Sequence, residues 1–275
     1  MKRDTSVDGG YSPAVPAPRI WYHTIDFADG TSSPGWYDMR SVAKTVVWPT
    51  QLRGGRCLDV GTFDGFWAFE MERQGAADVV ALDLDDPAEL DWCYDDRDSG
   101  SQTIEEWGTT RGPGFATAAE KLGSKVERIN CSVYNLDPAL HGQFDVVFCG
   151  AILLHLRDPV MALEKMRAVC GGVLVCVESV DPYLELAARR RPAAAFHPEP
   201  DEWWVVNSAG LASMVTTAGF RILRVFPRRL AGYGPGGPSN RTIPWLNSVA
   251  ARQPTRRGFL VRGLVAEPRP PQPKG

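Results

Sequence analysis

The sequence predicts an α/β fold built on a parallel sheet, and three observations carry that expectation. The stretch from Arg56 to Asp86, RCLDVGTFDGFWAFEMERQGAADVVALDLDD, reads as strand, glycine turn, helix, strand. Two strands joined through a helix run parallel, which places them in an α/β sheet. Phe144 to Phe148 and Val173 to Val177 are further apolar runs without regular polar alternation, the pattern of strands covered on both faces. Gly61 and Asp83 each close an apolar run, so both fall at the carboxyl end of a strand, where sheets of this kind bind ligands.

Within that stretch, Cys57 to Val60 is the first strand and ends abruptly in Gly61. Phe66 to Arg73 carries Phe66, Phe69 and Met71 at helical spacing, with Trp67 beside them. Gly75 stops this helix, and Val79 to Leu82 is the second strand, ending in Asp83. The turn between strand and helix is Asp59-Val-Gly61-Thr62-Phe63-Asp-Gly65. Glycine at 61 and 65 lets a ligand approach backbone where a Cβ would collide. The spacing is not the G-x-G-x-x-G of a dinucleotide site.

A chain of 275 residues can bury a proper core as one large domain with insertions. Its 44% apolar and 23% charged content is that of an ordinary globule. The net charge is −3 and basic clusters such as Arg189 to Arg191 and Arg256-Arg257 are short, which argues against a large RNA or DNA substrate. The six cysteines show no zinc spacing, so no metal site is expected. Cys57, Cys149 and Cys176 fall in strands and read as inert buried thiols. No apolar stretch approaches a membrane span and no signal peptide is seen, so the expected setting is a reducing cytoplasm.

The remaining elements follow in order. Residues 1–19 are polar and proline-rich and read as a disordered tail. Residues 20–50 form an N-terminal arm, with Trp21, Tyr22, an Asp29-Gly30 hairpin signal, Trp36 and Tyr37. Its rings either flap over the pocket or simply anchor the arm to the core. Asp38 to Trp48 is expected to be a helix. Residues 51–267 are the main domain. After a long connection, Phe115 to Leu122 is a helix, Val126 to Cys131 the third strand and Phe144 to Phe148 the fourth. A helix from about Pro159 to Val169 precedes the fifth strand, and Asn207 or Ser208 caps another that runs to Ala218. Phe220 to Phe226 and Gly258 to Val265 look like a closing strand pair. Residues 179–206 and 230–253 break the rhythm and read as lid insertions after the fifth and sixth strands, and 268–275 as a disordered tail.

The turn resembles the acidic-x-G-x-G-x-G turn of class I S-adenosylmethionine-dependent methyltransferases, with Phe63 in place of the middle glycine. A closer resemblance is carried by WYHTIDFADGTSSPGWYDMR, LDVGTFDGFWAFE, LGSKVERINCSVYNLDP, FDVVFCGAILLHLRDP and WWVVNSAGLASMVTTAGF. Together these are similar to the methyltransferase group related to the tRNA wobble-uridine carboxymethyltransferase, over roughly residues 20–225. The resemblance implies a Rossmann-like, seven-stranded sheet and S-adenosyl-L-methionine as cofactor, with S-adenosylhomocysteine as product. It implies that Asp59, Gly61, Thr62, Phe63 and Gly65 hold the methionine end, and that Asp83, with Leu84 beside it, takes the ribose hydroxyls. Ser132 stands where many relatives have an aspartate at the adenine amino group. Val133 would offer its N–H to the ring, and Cys149-Gly150 a main-chain carbonyl to the cofactor ammonium.

Methyl transfer needs in-line positioning, and a base only where the acceptor carries a proton at neutral pH. His155, just past the fourth strand, is the first candidate base, its alternative being a helix-capping histidine. Glu178, ending the fifth strand, is the second, its alternative being a carboxylate that orders the lid. Tyr22, His23, Trp36, His197, Trp203, Trp204 and Trp245 are candidate acceptor contacts; some of the tryptophans staple the insertions instead. The leading reading is O- or N-methylation of a small, apolar or aromatic molecule in specialised metabolism. The competing readings are a tRNA-modifying methyl- or carboxymethyltransferase and a cofactor-binding homologue without turnover. A carboxylated cofactor would need a cationic partner, for which the arm offers Arg40 and Lys44. The oligomeric state is left open.

Overall fold

The computed structural model describes residues 20–92, 111–199, 202–237 and 258–270. The two outer tail segments 1–19 and 271–275, the connection 93–110, and most of the second insertion, Trp245 included, lie outside those described residues. In chain order the strands are β1 Trp21–His23, β2 Gly35–Asp38, β3 Arg56–Val60, β4 Asp78–Asp83, β5 Glu127–Asn130, β6 Phe144–Gly150, β7 Cys170–Ser179, β8 Ala194–Glu199, β9 Glu202–Val206, β10 Phe220–Val225, β11 Arg229–Tyr233 and β12 Gly258–Pro268. The helices are α1 Arg40–Ala43, α2 Phe66–Arg73, α3 Arg111–Leu122, α4 Pro138–His141, α5 Pro159–Val169, α6 Pro182–Ala187 and α7 Ser208–Thr217.

Strands β7, β6, β3, β4 and β5 lie side by side in that order and all run parallel. β12 is antiparallel to β7, and the second half of β12 pairs antiparallel with β10. These are the seven strands expected from the sequence, in a Rossmann-like sheet with a closing antiparallel pair. The strand order reverses at β3, whose neighbours are β4 and β6, and a crevice forms at the carboxyl ends there. The sheet also extends beyond the seven. β11 pairs with the first half of β12, β2 with β11, and β1 with β2. Main-chain hydrogen bonds thus join the arm to the sheet.

Alternation along the central strands divides the core into two layers. Cys57, Val146, Phe148, Val175 and Val177 face Phe66, Trp67, Met71 and the arm residues Ile25, Phe27, Met39 and Val42. Leu58, Val60, Val147 and Leu174 face Leu163 and Met166 of α5 and Leu211 and Val215 of α7. α5 starts where Asp158 accepts the Met161 N–H and Pro159 opens the helix. α7 starts at Asn207, whose side chain accepts from Gly210 N–H and Ala193 N–H and donates to the Arg191 carbonyl.

Three expectations change. The helix over 38–48 is only the single turn α1, since β-branched residues at 45–47 and Pro49 oppose continuation. α3 begins at Arg111 rather than Phe115; Pro113 lies in its first turn, where a missing N–H costs nothing. The chain from Pro268 is not wholly irregular, because β12 runs through Pro268 and Arg269 N–H bonds the Gly219 carbonyl. The segment 179–206 contains α6 and the antiparallel β8–β9 pair; Asp181 N–H on the Val206 carbonyl closes it on itself, and Val180 N–H on the Leu260 carbonyl ties it to β12.

Phe148 is fully buried in the sheet centre against Trp67 and Trp48, with ring centroids at 4.5 and 5.6 Å. Phe148→Ala should lower the unfolding free energy by about 3–5 kcal/mol, read as a fall in the urea midpoint at unchanged slope.

Candidate cofactor and acceptor site

A cavity of about 320 Å³ opens at the carboxyl ends of β3, β4, β6 and β7. It is lined by Asp83, Leu84, Ser132 and Val133 at the ends of β4 and β5, by Gly61 and Phe63 of the turn, by Gly150 and Ile152 at the end of β6, and by Tyr22, His23, Tyr37, His155, Trp204 and Met214.

The glycine turn is held to β4 by Gly61 N–H and Thr62 N–H on the Leu82 carbonyl, at 2.9 and 3.1 Å. Gly61 has φ +75°, and a Cβ there would come within 2.5 Å of Ile152 Cδ1. Gly65 has φ +92° at the start of α2, and a Cβ there would meet the Phe69 ring. Phe63 also sits at positive φ, +51°, a conformation unfavourable for a side chain by roughly 1–2 kcal/mol. Two contacts hold it. Its N–H donates to Asp83 Oδ2 at 2.6 Å, and its ring stacks on Tyr22 at 4.6 Å.

Asp83 takes that N–H and the Leu84 N–H (2.8 Å) on separate oxygens. A carboxylate oxygen can accept more than one hydrogen bond. The carboxylate is fixed, 5% exposed and on the cavity wall, which suits two ribose hydroxyls. With a glycine cradle on one side and the Ser132-Val133 backbone on the other, these residues fit an adenosyl ligand. Asp59, Thr62 and Gly65, although part of the turn, are buried and do not line the cavity. Burial pushes the Asp59 carboxyl up to about 7, against the Thr62 hydroxyl and the His23 charge, which lower it. Cys149 is likewise fully buried, and Gly150 is the neighbour that reaches the wall.

His155 closes a short 3-10 turn, Leu153–His155, and lines the cavity. Glu178 is on the wall but 2% exposed, and one of its oxygens accepts Ile152 N–H at 3.0 Å, Leu153 N–H at 3.2 Å and the Cys149 thiol at 3.5 Å. Burial raises its carboxyl to about 7, and the two backbone N–H groups pull it back. Glu178 thus orders the loop that carries His155. Cys149 Sγ, Cys176 Sγ and a Glu178 oxygen lie within 4.8 Å of one another, a spacing that three metal ligands could share. Here the contact is a thiol hydrogen bond. Both thiols are fully buried, and burial holds the Cys149 thiol well above its usual range.

Tyr22, His23 and Trp204 line the cavity; Trp36 and Trp203 do not. Trp203 instead donates to the Asp91 carbonyl at 2.5 Å and packs under the Arg157 guanidinium, while Trp204 donates to the Arg157 carbonyl at 3.2 Å. His197 belongs to β8. Arg40 is paired with Asp38 and Asp26, and neither it nor Lys44 lines the cavity. Sequence reasoning missed Asp64, which binds His23, and Asp91, which joins Tyr134 Oη, Arg157 N–H and Trp203. It also missed Tyr37 and Phe259 on the wall. Asp64 was visible as an acid inside the turn; its partner, 41 residues away, was not.

The family profile described as a methyltransferase domain matches residues 39–225. The chain belongs to that family. It is an S-adenosylmethionine-dependent methyltransferase. No curated protein matches it. Among solved structures, the methyltransferase resembles Burkholderia thailandensis 1,6-didemethyltoxoflavin-N1-methyltransferase with bound 1,6-didemethyltoxoflavin and S-adenosylhomocysteine, at 16% identity and TM-score 0.50 over 79% of this chain and 72% of that one. It also resembles magnesium protoporphyrin IX methyltransferase from Synechocystis PCC 6803 with bound S-adenosylhomocysteine, at 15% identity and TM-score 0.50 over 84% and 82%. The [4+2]-cyclase SpnF matches at 18% identity and TM-score 0.50 over 84% and 80%. At such identities the likeness is one of fold. Among the described residues, no helix is long and apolar enough to cross a membrane.

Because Glu178 holds its proton more tightly folded than unfolded, it favours the fold at low pH and loses that contribution as pH rises from about 4.5 to about 7. Glu178→Gln should flatten this part of the stability–pH curve, by up to about 3 kcal/mol at neutral pH relative to acid, as measured by urea denaturation across the range.

Proposed function

We propose that this methyltransferase acts on an oxygen or nitrogen of a small apolar or aromatic molecule. The observation that carries this reading is the apolar part of the cavity wall, to which Tyr22, Tyr37, Trp204, Leu211, Met214 and Phe259 contribute. Apolar and aromatic walls with a few placed polar groups are how small-molecule sites are built. Among the described residues on the wall there is no lysine or arginine, which disfavours a phosphate-rich acceptor. The same composition favours ordinary S-adenosylmethionine over a carboxylated form, whose extra carboxylate would want a cation. The closer resemblance to relatives of the tRNA wobble-uridine carboxymethyltransferase is compatible with this, taken as a small-molecule branch.

In this reading Asp83 holds the ribose, Ser132 and the Val133 N–H the adenine, and the carbonyl at Cys149-Gly150 the ammonium. The segment 179–206 acts as a lid: Trp204, Val205 and Val206 form cavity wall, and the two indole N–H bonds pin the hairpin to the loops beneath. Water exclusion and in-line placement then supply most of the rate, on the order of 7–11 kcal/mol of barrier. The donor contributes an already activated methyl group. His155 stands at the acceptor end, positioned through Glu178.

Incubation of the protein and S-adenosylmethionine with a metabolite extract should yield a product one methyl group heavier, together with S-adenosylhomocysteine. Equal turnover of tRNA would overturn the small-molecule reading. Asp83→Asn should weaken S-adenosylhomocysteine binding by roughly 10–100-fold, the loss expected for hydrogen bonds to a charged group, measured by calorimetry. Unchanged affinity would show that another residue holds the ribose. Titration with the carboxylated cofactor should show the weaker binding of the two forms.

A further inference from the structure

His23 ends β1 in the arm, and Asp64 lies in the glycine turn. One carboxylate takes both polar groups that His23 offers on that side. Its Oδ2 accepts the His23 backbone N–H at 2.7 Å, and its Oδ1 meets ring Nδ1 at 2.5 Å. The imidazole is clamped between rings, stacked on Phe66 at 5.2 Å and edge-on to Tyr22 at 4.7 Å. Asp64 is 1% exposed and is not on the cavity wall; His23 is 6% exposed and is on it, beside Gly61 and Phe63. With Nδ1 engaged by the carboxylate, Nε2 is the nitrogen left to serve the cavity.

Burying a carboxylate against a histidine is a poor way to gain stability, because desolvation offsets most of the attraction. It is an effective way to fix a tautomer. A carboxylate acceptor at Nδ1 keeps the proton there, leaves the Nε2 lone pair free to accept another, and stabilises the imidazolium once it forms. Asp59 and Asp83 are the other buried acids of the turn region, and a positive charge gained by His23 would act on the Asp59 carboxyl, lowering it.

We infer that His23 is the general base of the methyl transfer and that Asp64 is its positioning residue. The inference rests on the chain being a methyltransferase with its donor seated at the glycine turn. An acceptor O–H or N–H donates to His23 Nε2. As the acceptor lone pair forms a bond to the methyl carbon, the S–CH₃ bond breaks and its electron pair goes to sulfur, leaving neutral S-adenosylhomocysteine. The acceptor proton passes to Nε2, and the resulting imidazolium shares its charge with Asp64 until the proton leaves to water. His155, on the short turn after β6, then serves as an acceptor contact.

The test uses full-length protein with ¹⁵N-labelled histidine, saturated with S-adenosylhomocysteine, and long-range ¹H–¹⁵N NMR. His23 is assigned among the four histidines by its absence from H23Q. The expected signature is a protonated Nδ1 and an unprotonated, pyridine-like Nε2 in the complex, with D64N moving the proton toward Nε2. A protonated Nε2 in the wild-type complex would overturn the proposal without any variant having to fold. Calorimetry adds a second arm. H23Q should bind S-adenosylhomocysteine within about threefold of wild type; a larger loss would mean that the imidazole holds the cofactor instead, and would also overturn it. Failure of the wild-type protein to bind S-adenosylhomocysteine is a different result, since it removes the donor site on which the methyl-transfer reading stands.

Discussion

The structure depends on the contact between the arm and the glycine turn. Two turn residues that are not glycine, Phe63 and Asp64, are the ones the arm seizes. Tyr22 stacks on Phe63, and His23 hydrogen-bonds Asp64 through both backbone and ring. Phe63 adopts a left-handed conformation that a glycine would take more cheaply, and the ring contact and the bond from its N–H to Asp83 hold it there. The departure from an all-glycine turn is thus a docking device. It closes one side of the cavity and brings Tyr22 and His23 onto its wall.

The turn is also where buried acids gather. Asp59, Asp64, Asp83 and Glu178 are each at most 5% exposed, yet each has a different environment. Asp83 and Glu178 are held by backbone N–H groups, Asp64 by a histidine, and Asp59 chiefly pays desolvation, as its raised carboxyl shows. Backbone donors cannot rotate away, so Asp83 and Glu178 keep one orientation whether or not a ligand is present. That fixed orientation suits the ribose contact proposed for Asp83 and lets Glu178 anchor the loop that carries His155. The same logic explains the two tryptophans of the hairpin. Trp203 and Trp204 end on carbonyls of loops that border the cavity, so forming the wall at Trp204 and fixing those loops are coupled.

The seven strands, the helices that cover them and the placing of Gly61 and Asp83 at strand ends were legible because they arise from local pattern. Apolar runs without alternation mark doubly covered strands, Gly75 and Asn207 mark helix ends, and a glycine after a strand marks a turn. The errors were local too. A helix over 38–48 looks plausible until three β-branched residues and Pro49 are weighed, and Gly112-Pro113-Gly114 reads as linker although it opens α3. Within the site, residues were recognised by type but not by direction. Trp36 and Trp203 are aromatic and near the site, as expected, yet neither faces the cavity.

By itself the sequence determined the α/β sheet, the glycine turn and its acid at the second strand; the resemblance of that turn to a known family implied the ligand. These depend on backbone freedom and strand periodicity, which act over a few residues. The tertiary structure decided which carboxylates face the cavity, that Glu178 spends an oxygen on backbone N–H groups, that the arm extends the sheet through β2 and β11, and that His23 meets Asp64. Those outcomes are set by pairings across tens of residues, whose energies are comparable for many partners and are resolved only when the whole core packs at once.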